Sequence, residues 1–337
     1  MARAESGQGA RDLPASGAGR IGGATMPPAP ALILAGPTAS GKSALALALA
    51  ARLPGTIINA DAMQCYQELR LITARPSPGD EALAPHRLYG VRAAAEPANA
   101  AWWRGAALAE MNSCGLPILC GGTGMYFSAL INGIAQVPEP GAQARTEARA
   151  LLAALGAPGL HARLDAETAL RLKPGDSQRV ARAYEVLIGT GQGLAAWQRQ
   201  TTHRLEGWRV RMILLDPPRE ALREAIAVRF AAMLAAGAVD EVRNFLSLGL
   251  DASLPLMRAH GVPELGAYLR GEITLSEATA RAVLATHQYT KRQMTWFRHQ
   301  KLVDTPDMQI IQSRIDSFAQ LSESFIGGLV NFINFPG

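Results

Sequence analysis

Apolar-rich runs occur at 31–34 (ALIL), 56–59 (TIIN), 117–120 (PILC) and 208–215 (WRVRMILL), with a weaker one at 87–91. Short runs of this kind are the mark of strands buried on both faces. Between most of them lie stretches of helical periodicity, such as 43–53 and 98–112. This alternation predicts a parallel α/β sheet. From 138 to about 200 the pattern changes to Arg-bearing helical segments with no strand between them, which reads as an all-helical insertion. A second helical set runs from 216 to about 299, broken at Gly237, Gly249, Pro255, Gly261 and Gly271. In the last stretch, Ile310, Ile311, Ile315, Phe318, Leu321 and Phe325 recur at roughly helical spacing. They predict an amphipathic helix packed on the body, with a partner contact as the other reading. Residues 1–29 are Ala, Gly, Arg and Pro with almost no large apolar side chain, and read as a disordered tail. The predicted organisation is a tail (1–29), a first core part (30–137), a helical insertion (138–203), a second core part (204–305) and a C-terminal tail (306–337).

Composition narrows the class. At 48% hydrophobic and 18% charged, the 337 residues are too apolar for a disordered chain. No apolar run approaches the ~20 residues of a membrane span, so an integral membrane protein is excluded. Lys plus Arg exceed Asp plus Glu by 5, an excess that permits nucleic acid or a polyphosphate ligand without selecting either. Three cysteines (Cys65, Cys114, Cys120) with no C-x-x-C pair give neither a disulfide framework nor a zinc site. The expected compartment is reducing and cytoplasmic.

The strongest motif is Gly36-Pro37-Thr38-Ala39-Ser40-Gly41-Lys42-Ser43, a full G-x-x-x-x-G-K-[ST] match with a strand before it and a helix after. Its amides and the helix N-terminus suit a diphosphate or triphosphate. Lys42 adds a point charge, and Ser43 is a candidate Mg²⁺ ligand. The fold class is therefore α/β, a P-loop NTPase-like parallel sheet core with an all-helical insertion domain. No Asn-Lys-x-Asp guanine signature accompanies the loop. Asp216, at the end of an apolar strand, imitates a metal-binding acid, but two prolines behind it make a plain turn equally apt. Asp61 follows the second strand in Asn59-Ala60-Asp61-Ala62-Met63-Gln64, placed to act as a base or metal ligand, or merely to cap the next helix. Gly121-Gly122-Thr123-Gly124 allows close backbone approach to a ligand, or is an ordinary strand–helix turn. Lys291-Arg292-Gln293-Met294-Thr295-Trp296-Phe297-Arg298 interleaves basic and aromatic residues as RNA binders do, or is a solvated helix with its rings in the core.

Together and in this order, the motifs resemble the tRNA dimethylallyltransferase (tRNA isopentenyltransferase) family of bacterial type. The likeness also draws on Leu71-Ile72-Thr73-Ala74-Arg75-Pro76, Gln178-Arg179-Val180-Ala181-Arg182, and Arg229-Phe230 ahead of Met233-Leu234. It implies transfer of a dimethylallyl group from dimethylallyl diphosphate to N6 of the adenosine just 3′ of the anticodon (tRNA position 37), in tRNAs reading U-initial codons. By this likeness the P-loop, Gly36 to Ser43, holds the donor's diphosphate rather than ATP, aided by Arg229 and Mg²⁺ on Ser43. Asp61 matches the general base, and Thr123 is the second residue expected to be catalytic. Matches to tRNA-contacting positions are Asp61, Ala62, Met63, Gln64, Thr123, Arg145, Gln178, Arg179, Val180, Ala181, Arg182, Arg258, Lys291, Arg292, Gln293, Trp296 and Arg298. Ala62, Arg75 and Val262 depart from the family's usual Ser, Lys and Tyr. The resemblance implies tRNA and dimethylallyl diphosphate as partners, no membrane, and a monomer.

The chemistry of the residues agrees. An exocyclic adenine amine is a poor nucleophile and needs a carboxylate to accept its proton as the C–N bond forms. No Asp-Asp-x-x-Asp pair occurs, which excludes the two-aspartate-cluster route of the helical prenyl synthases. The alternatives are a small-molecule P-loop kinase, which leaves 291–298 unused, and a non-catalytic RNA-binding protein, which leaves Asp61 structural.

Overall fold

A computed structural model describes residues 28–200, 203–317 and 321–334. The tail read at 1–29 therefore lies almost wholly outside the described residues, as does Phe318. The first core part runs β1 (Ala29–Ala35), α1 (Lys42–Ala50), β2 (Gly55–Asn59), α2 (Pro78–Leu83), β3 (His86–Arg87), α3 (Ala100–Ser113), β4 (Leu116–Gly121) and α4 (Gly124–Asn132). Then come α5 (Gly141–His161), α6 (Ala166–Arg171), α7 (Ser177–Thr190) and α8 (Leu194–Arg199), with no strand among them. β5 (Trp208–Leu215) returns the chain to the sheet. It is followed by α9 (Arg219–Ala235), α10 (Ala238–Leu246), α11 (Val262–Leu269), α12 (Leu275–His299), β6 (Met308–Ile311) and α13 (Glu323–Asn334).

The six strands are all parallel, in the order β3-β2-β4-β1-β5-β6. Alternation along β1 explains the two-sided core. Ile33 and Ala35 face a layer containing Trp103, Phe127, Met294 and Phe297 from α3, α4 and α12. Leu32 and Leu34 face Leu45 and Leu49 of α1 and Ile326 and Leu329 of α13. Two smaller cores stand beside the sheet. One joins α9–α12 to the chain around Tyr66–Ile72; the other closes α5 on α7 through Ala148, Leu160, Val180 and Tyr184.

Two expectations change. The run 87–91 yields only the two-residue β3, because Leu88 (φ 64°) and Gly90 (φ 60°) take left-handed backbone that a strand cannot continue. The stretch read as a tail at 306–337 instead supplies the edge strand β6. Ile310 and Ile311 belong to β6, paired with β5, and the helix begins only at Glu323. A four-residue strand carries too few positions for its period to stand out from the helical one.

Candidate active site

The loops after β1, β2 and β4, which carry the P-loop, Asp61 and Thr123, leave the carboxyl edge of the sheet, where ligands gather in open α/β folds. At the end of β1, a Cβ on Gly36 would come 2.8 Å from the Leu215 carbonyl oxygen, so only glycine passes β5 this closely. Gly41 turns the chain into α1 with φ 94°, a left-handed conformation suited to glycine. The first-turn amides of α1 have no intrahelical acceptors. Lys42 Nζ donates to the Pro37 carbonyl at 2.7 Å. Burial, the largest cause, lowers the Lys42 pKa to about 8; Cys120 and Asp61 oppose that shift and Arg229 adds to it. Arg229, on α9, is likewise lowered by burial and opposed by Asp61. Among the described residues no hydrogen bond or ion pair holds its guanidinium. A cavity of about 360 Å³ joins Thr38, Lys42, Ser43, Asp61 and Arg229.

The loops after β2 and β4 are fastened together, because those strands are neighbours in the sheet. Thr123 N donates to the Ala60 carbonyl at 3.1 Å, and Ala62 N donates to Thr123 Oγ1 at 3.0 Å. The fully buried Asn59 holds the turn, accepting from Asp61 N at 2.8 Å and donating to the Asp61 and Leu88 carbonyls. Asp61 Oδ1 accepts the Met63 amide at 3.0 Å and so caps the following 3₁₀ turn. One oxygen of this carboxylate is thus committed to the turn, and the other, Oδ2, accepts no hydrogen bond from the described residues.

The glycines around Thr123 serve α12. A Cβ on Gly122 would lie 2.2 Å from Gln293 Nε2, and one on Gly124 2.1 Å from the Trp296 ring. The close approach expected for a ligand is thus made by the protein itself.

A second cavity, about 290 Å³, shares Thr38, Asp61, Thr73 and Arg229 with the first. Its far wall is apolar, from Met63, Ile72, Ile226, Phe230 and Met233. Tyr289 and His260 add two rings with centroids 5.1 Å apart. Burial raises the Tyr289 phenol, which neighbours Thr123 and Gln293, and lowers the His260 imidazole. The loop carrying Ile72 and Thr73 is gripped from both sides. Glu241 accepts the amides of Arg70, Leu71 and Ile72 at 2.7–2.9 Å, and Gln64 donates to the Thr73 and Ala74 carbonyls.

The sequence-derived RNA contacts divide. Lys291, Arg292 and Arg298 are exposed along α12, with Arg298 Nη2 donating to both carboxylate oxygens of Asp216 at 2.8–2.9 Å. Trp296 is half-buried, and Arg258 lies exposed on the rim of the second cavity. Gln293 is a correction. It is 5% exposed, accepts the Thr38 amide and donates to the Gly122 carbonyl, so its side chain is committed to the protein. Val180 is another, fully buried in the α5–α7 core. Ala181 is partly buried beside it, while Gln178 and Arg179 are exposed and Arg182 is partly so. Arg145 pairs with Glu139 on the helical part and lines neither cavity.

Sequence reasoning missed Tyr289 and His260. Tyr289 was detectable, one helical turn before Gln293 on the same face of α12; His260 carried no spacing signal. Among the described residues, no group of three or more His, Cys, Asp or Glu side chains could cage a metal, and no helix is long and apolar enough to cross a membrane.

Comparison with known proteins agrees with this geometry. The IPP transferase family model matches residues 64–300, and the isopentenyl transferase model matches 30–92. The chain is 62% identical over 314 residues to a tRNA dimethylallyltransferase of Acidiphilium cryptum, covering 92% of this chain and 97% of that one. It is 57% identical to that of Granulibacter bethesdensis, covering 90% and 97%. Among solved structures, the tRNA isopentenylpyrophosphate transferase of Bacillus halodurans superposes with a TM-score of 0.63 at 27% identity, covering 90% of this chain and 95% of that one. A eukaryotic dimethylallyltransferase acting on tRNA shares the fold, with a TM-score of 0.68 at 22% identity over 84% and 73% of the two chains. With a P-loop, an aspartate on the wall of two joined cavities and a family model matched over most of its length, the chain belongs to the tRNA dimethylallyltransferase (IPP transferase) family.

Proposed function

We propose that the chain transfers the dimethylallyl group of dimethylallyl diphosphate to N6 of adenosine 37, just 3′ of the anticodon, in tRNAs reading U-initial codons. The observation that carries this reading is the position of Asp61 on the wall common to both cavities, with one carboxylate oxygen unengaged. The polar cavity suits the diphosphate. The apolar side of its neighbour suits a five-carbon allyl group, and the Tyr289 and His260 rings suit a planar base swung out of its stack. The N6–C1 bond forms as the C1–O bond breaks; the N6 proton passes to Asp61, and diphosphate departs with the bonding pair. Lys42, Arg229 and the loop amides face the charge that accumulates on it. Mg²⁺ would be held by the Ser43 hydroxyl and the donor's own oxygens, adding positive charge there; a site without a protein cage fits that ion's preference for substrate phosphates and water. The helices between 138 and 203 and the basic face of α12 would grip the anticodon arm. The reading takes the chain to work as a monomer in the cytoplasm.

Asp61→Asn separates the two roles of this residue, because an amide oxygen still accepts the Met63 amide while losing the basicity. Single-turnover transfer from labelled dimethylallyl diphosphate should fall by about 10²–10⁴-fold with tRNA binding retained. Near-normal transfer would leave Asp61 as a cap and remove the proposed base. Adding ATP without tRNA should give no turnover, which a kinase would show.

A further inference from the structure

Just after β6, the chain at Ile315 crosses directly over the P-loop. Ile315 N donates to the Ser40 carbonyl at 3.1 Å, and the Ile315 carbonyl oxygen occupies the place where a Cβ on Gly41 would fall, 2.0 Å away. Ile315 itself is 6% exposed and packs into the core shared by α1 and α13. Arg314, Ile315 and Asp316 all line the cavity that holds Lys42, Ser43 and Arg229. Arg314 and Asp316 are ion-paired to each other. Arg314 Nε is buried and has no hydrogen-bond partner among the described residues.

We propose that Arg314 is a further binding residue for the donor's diphosphate, delivered over the P-loop by the chain after β6, with Asp316 as the carboxylate that competes with the incoming anion for its guanidinium. The inference rests on reading this cavity as the diphosphate seat. A planar guanidinium lining one cavity with Lys42 and Arg229 matches the oxygens of a diphosphate, which take forked hydrogen bonds from arginine. Ile315 supplies the rigidity, since its two backbone contacts and buried side chain fix where residues 314 and 316 can point. Because Asp316 competes with an incoming anion, its pairing tempers the attraction of the site. The edge strand β6 acquires a role from this: it sets the start of a segment that must arrive over Gly41.

Binding of inorganic diphosphate with Mg²⁺, and separately of dimethylallyl diphosphate, is measured for the full chain by calorimetry. Arg314→Gln should weaken both by about tenfold or more, the loss expected for a charge-assisted contact, and Arg314→Lys should recover part of it. Asp316→Asn should strengthen both by a few-fold, because a competing carboxylate is gone. tRNA affinity should stay unchanged in all three. Unaltered diphosphate affinity in Arg314→Gln overturns the proposal, as does equal weakening by Asp316→Asn, which would make the pair mere scaffold. If the unsubstituted chain binds diphosphate through Arg314 yet transfers nothing to tRNA, the functional reading fails while this inference stands.

Discussion

Gln293 Oε1 accepts the Thr38 amide at 3.0 Å, tying the middle of α12 to the P-loop 255 residues earlier in the chain. The same carboxamide donates to the Gly122 carbonyl at 3.0 Å, so one buried side chain locks the loops after β1 and β4 against one helix. The lock has a chemical consequence. Thr38 N–H is spent inside the protein, which leaves anion binding to the amides nearer Gly41 and the start of α1.

Gln293→Met keeps the volume and removes both hydrogen bonds. Two buried backbone groups are then left without partners, at a cost of about 1–3 kcal/mol each. The expected outcome is a lowered thermal midpoint together with a raised KM for the diphosphate donor, while tRNA affinity holds. Thermal unfolding and donor titration check it; weakened tRNA binding with normal donor use would instead return Gln293 to the RNA surface.

Lys42 gives the site a pH signature. Its pKa of about 8 in the folded chain lies below the ordinary 10.5, with burial as the main cause. Between those values the unfolded chain binds more protons, so this lysine's contribution to stability rises with pH across the window. Below about pH 8 both states carry the charge and the folded state bears its burial cost. Donor binding runs the other way, because it needs the ammonium. The donor dissociation constant should be flat below about pH 8 and rise about tenfold per unit above it. Lys42→Arg, charged throughout, should remove the break; a break that persists would belong to another group.

How much of this is legible in the sequence depends on how local each signal is. The P-loop and the Asp61 turn are written in consecutive residues, and their strand context is a run of apolar side chains. The breaks at Gly237, Gly249, Gly261 and Gly271 fall where the helices between β5 and β6 end or begin, since each takes a left-handed φ. Pairing between distant parts of the chain is what sequence does not carry. Glu241 fastening the 70–72 amides, Gln293 fastening Thr38 and Ile315 lying over Gly41 each join residues far apart in the chain, with no periodicity to announce the pairing. Gln293 reads as a polar residue in a basic-aromatic stretch, and so as an RNA contact. Its burial depends on Gly122 and Gly124, whose missing side chains admit α12.

The helical part offers the cleanest test of RNA contact. Arg179 and Arg182 lie three apart on α7, one helix face, while Val180 between them turns into the α5–α7 core. Their side chains are 72% and 43% exposed and pair with Asp176 and Glu185 at 3.4 and 3.3 Å. The exposed Arg179 pair contributes about 0–1 kcal/mol, so an RNA phosphate can displace Asp176 at little cost, whereas Glu185 is only 15% exposed and is left partly buried when Arg182 turns away. Replacing both arginines with alanine should therefore lower the thermal midpoint only modestly. It should weaken tRNA binding and flatten its salt dependence by about 0.7 unit of log–log slope for each phosphate that the protein no longer neutralises on single-stranded RNA. Affinity measured across a salt series separates the two roles of these side chains. An unchanged slope with a small loss of stability would make them a solvated face satisfied by its own acids, and the anticodon-arm grip would then have to come from the basic face of α12 alone.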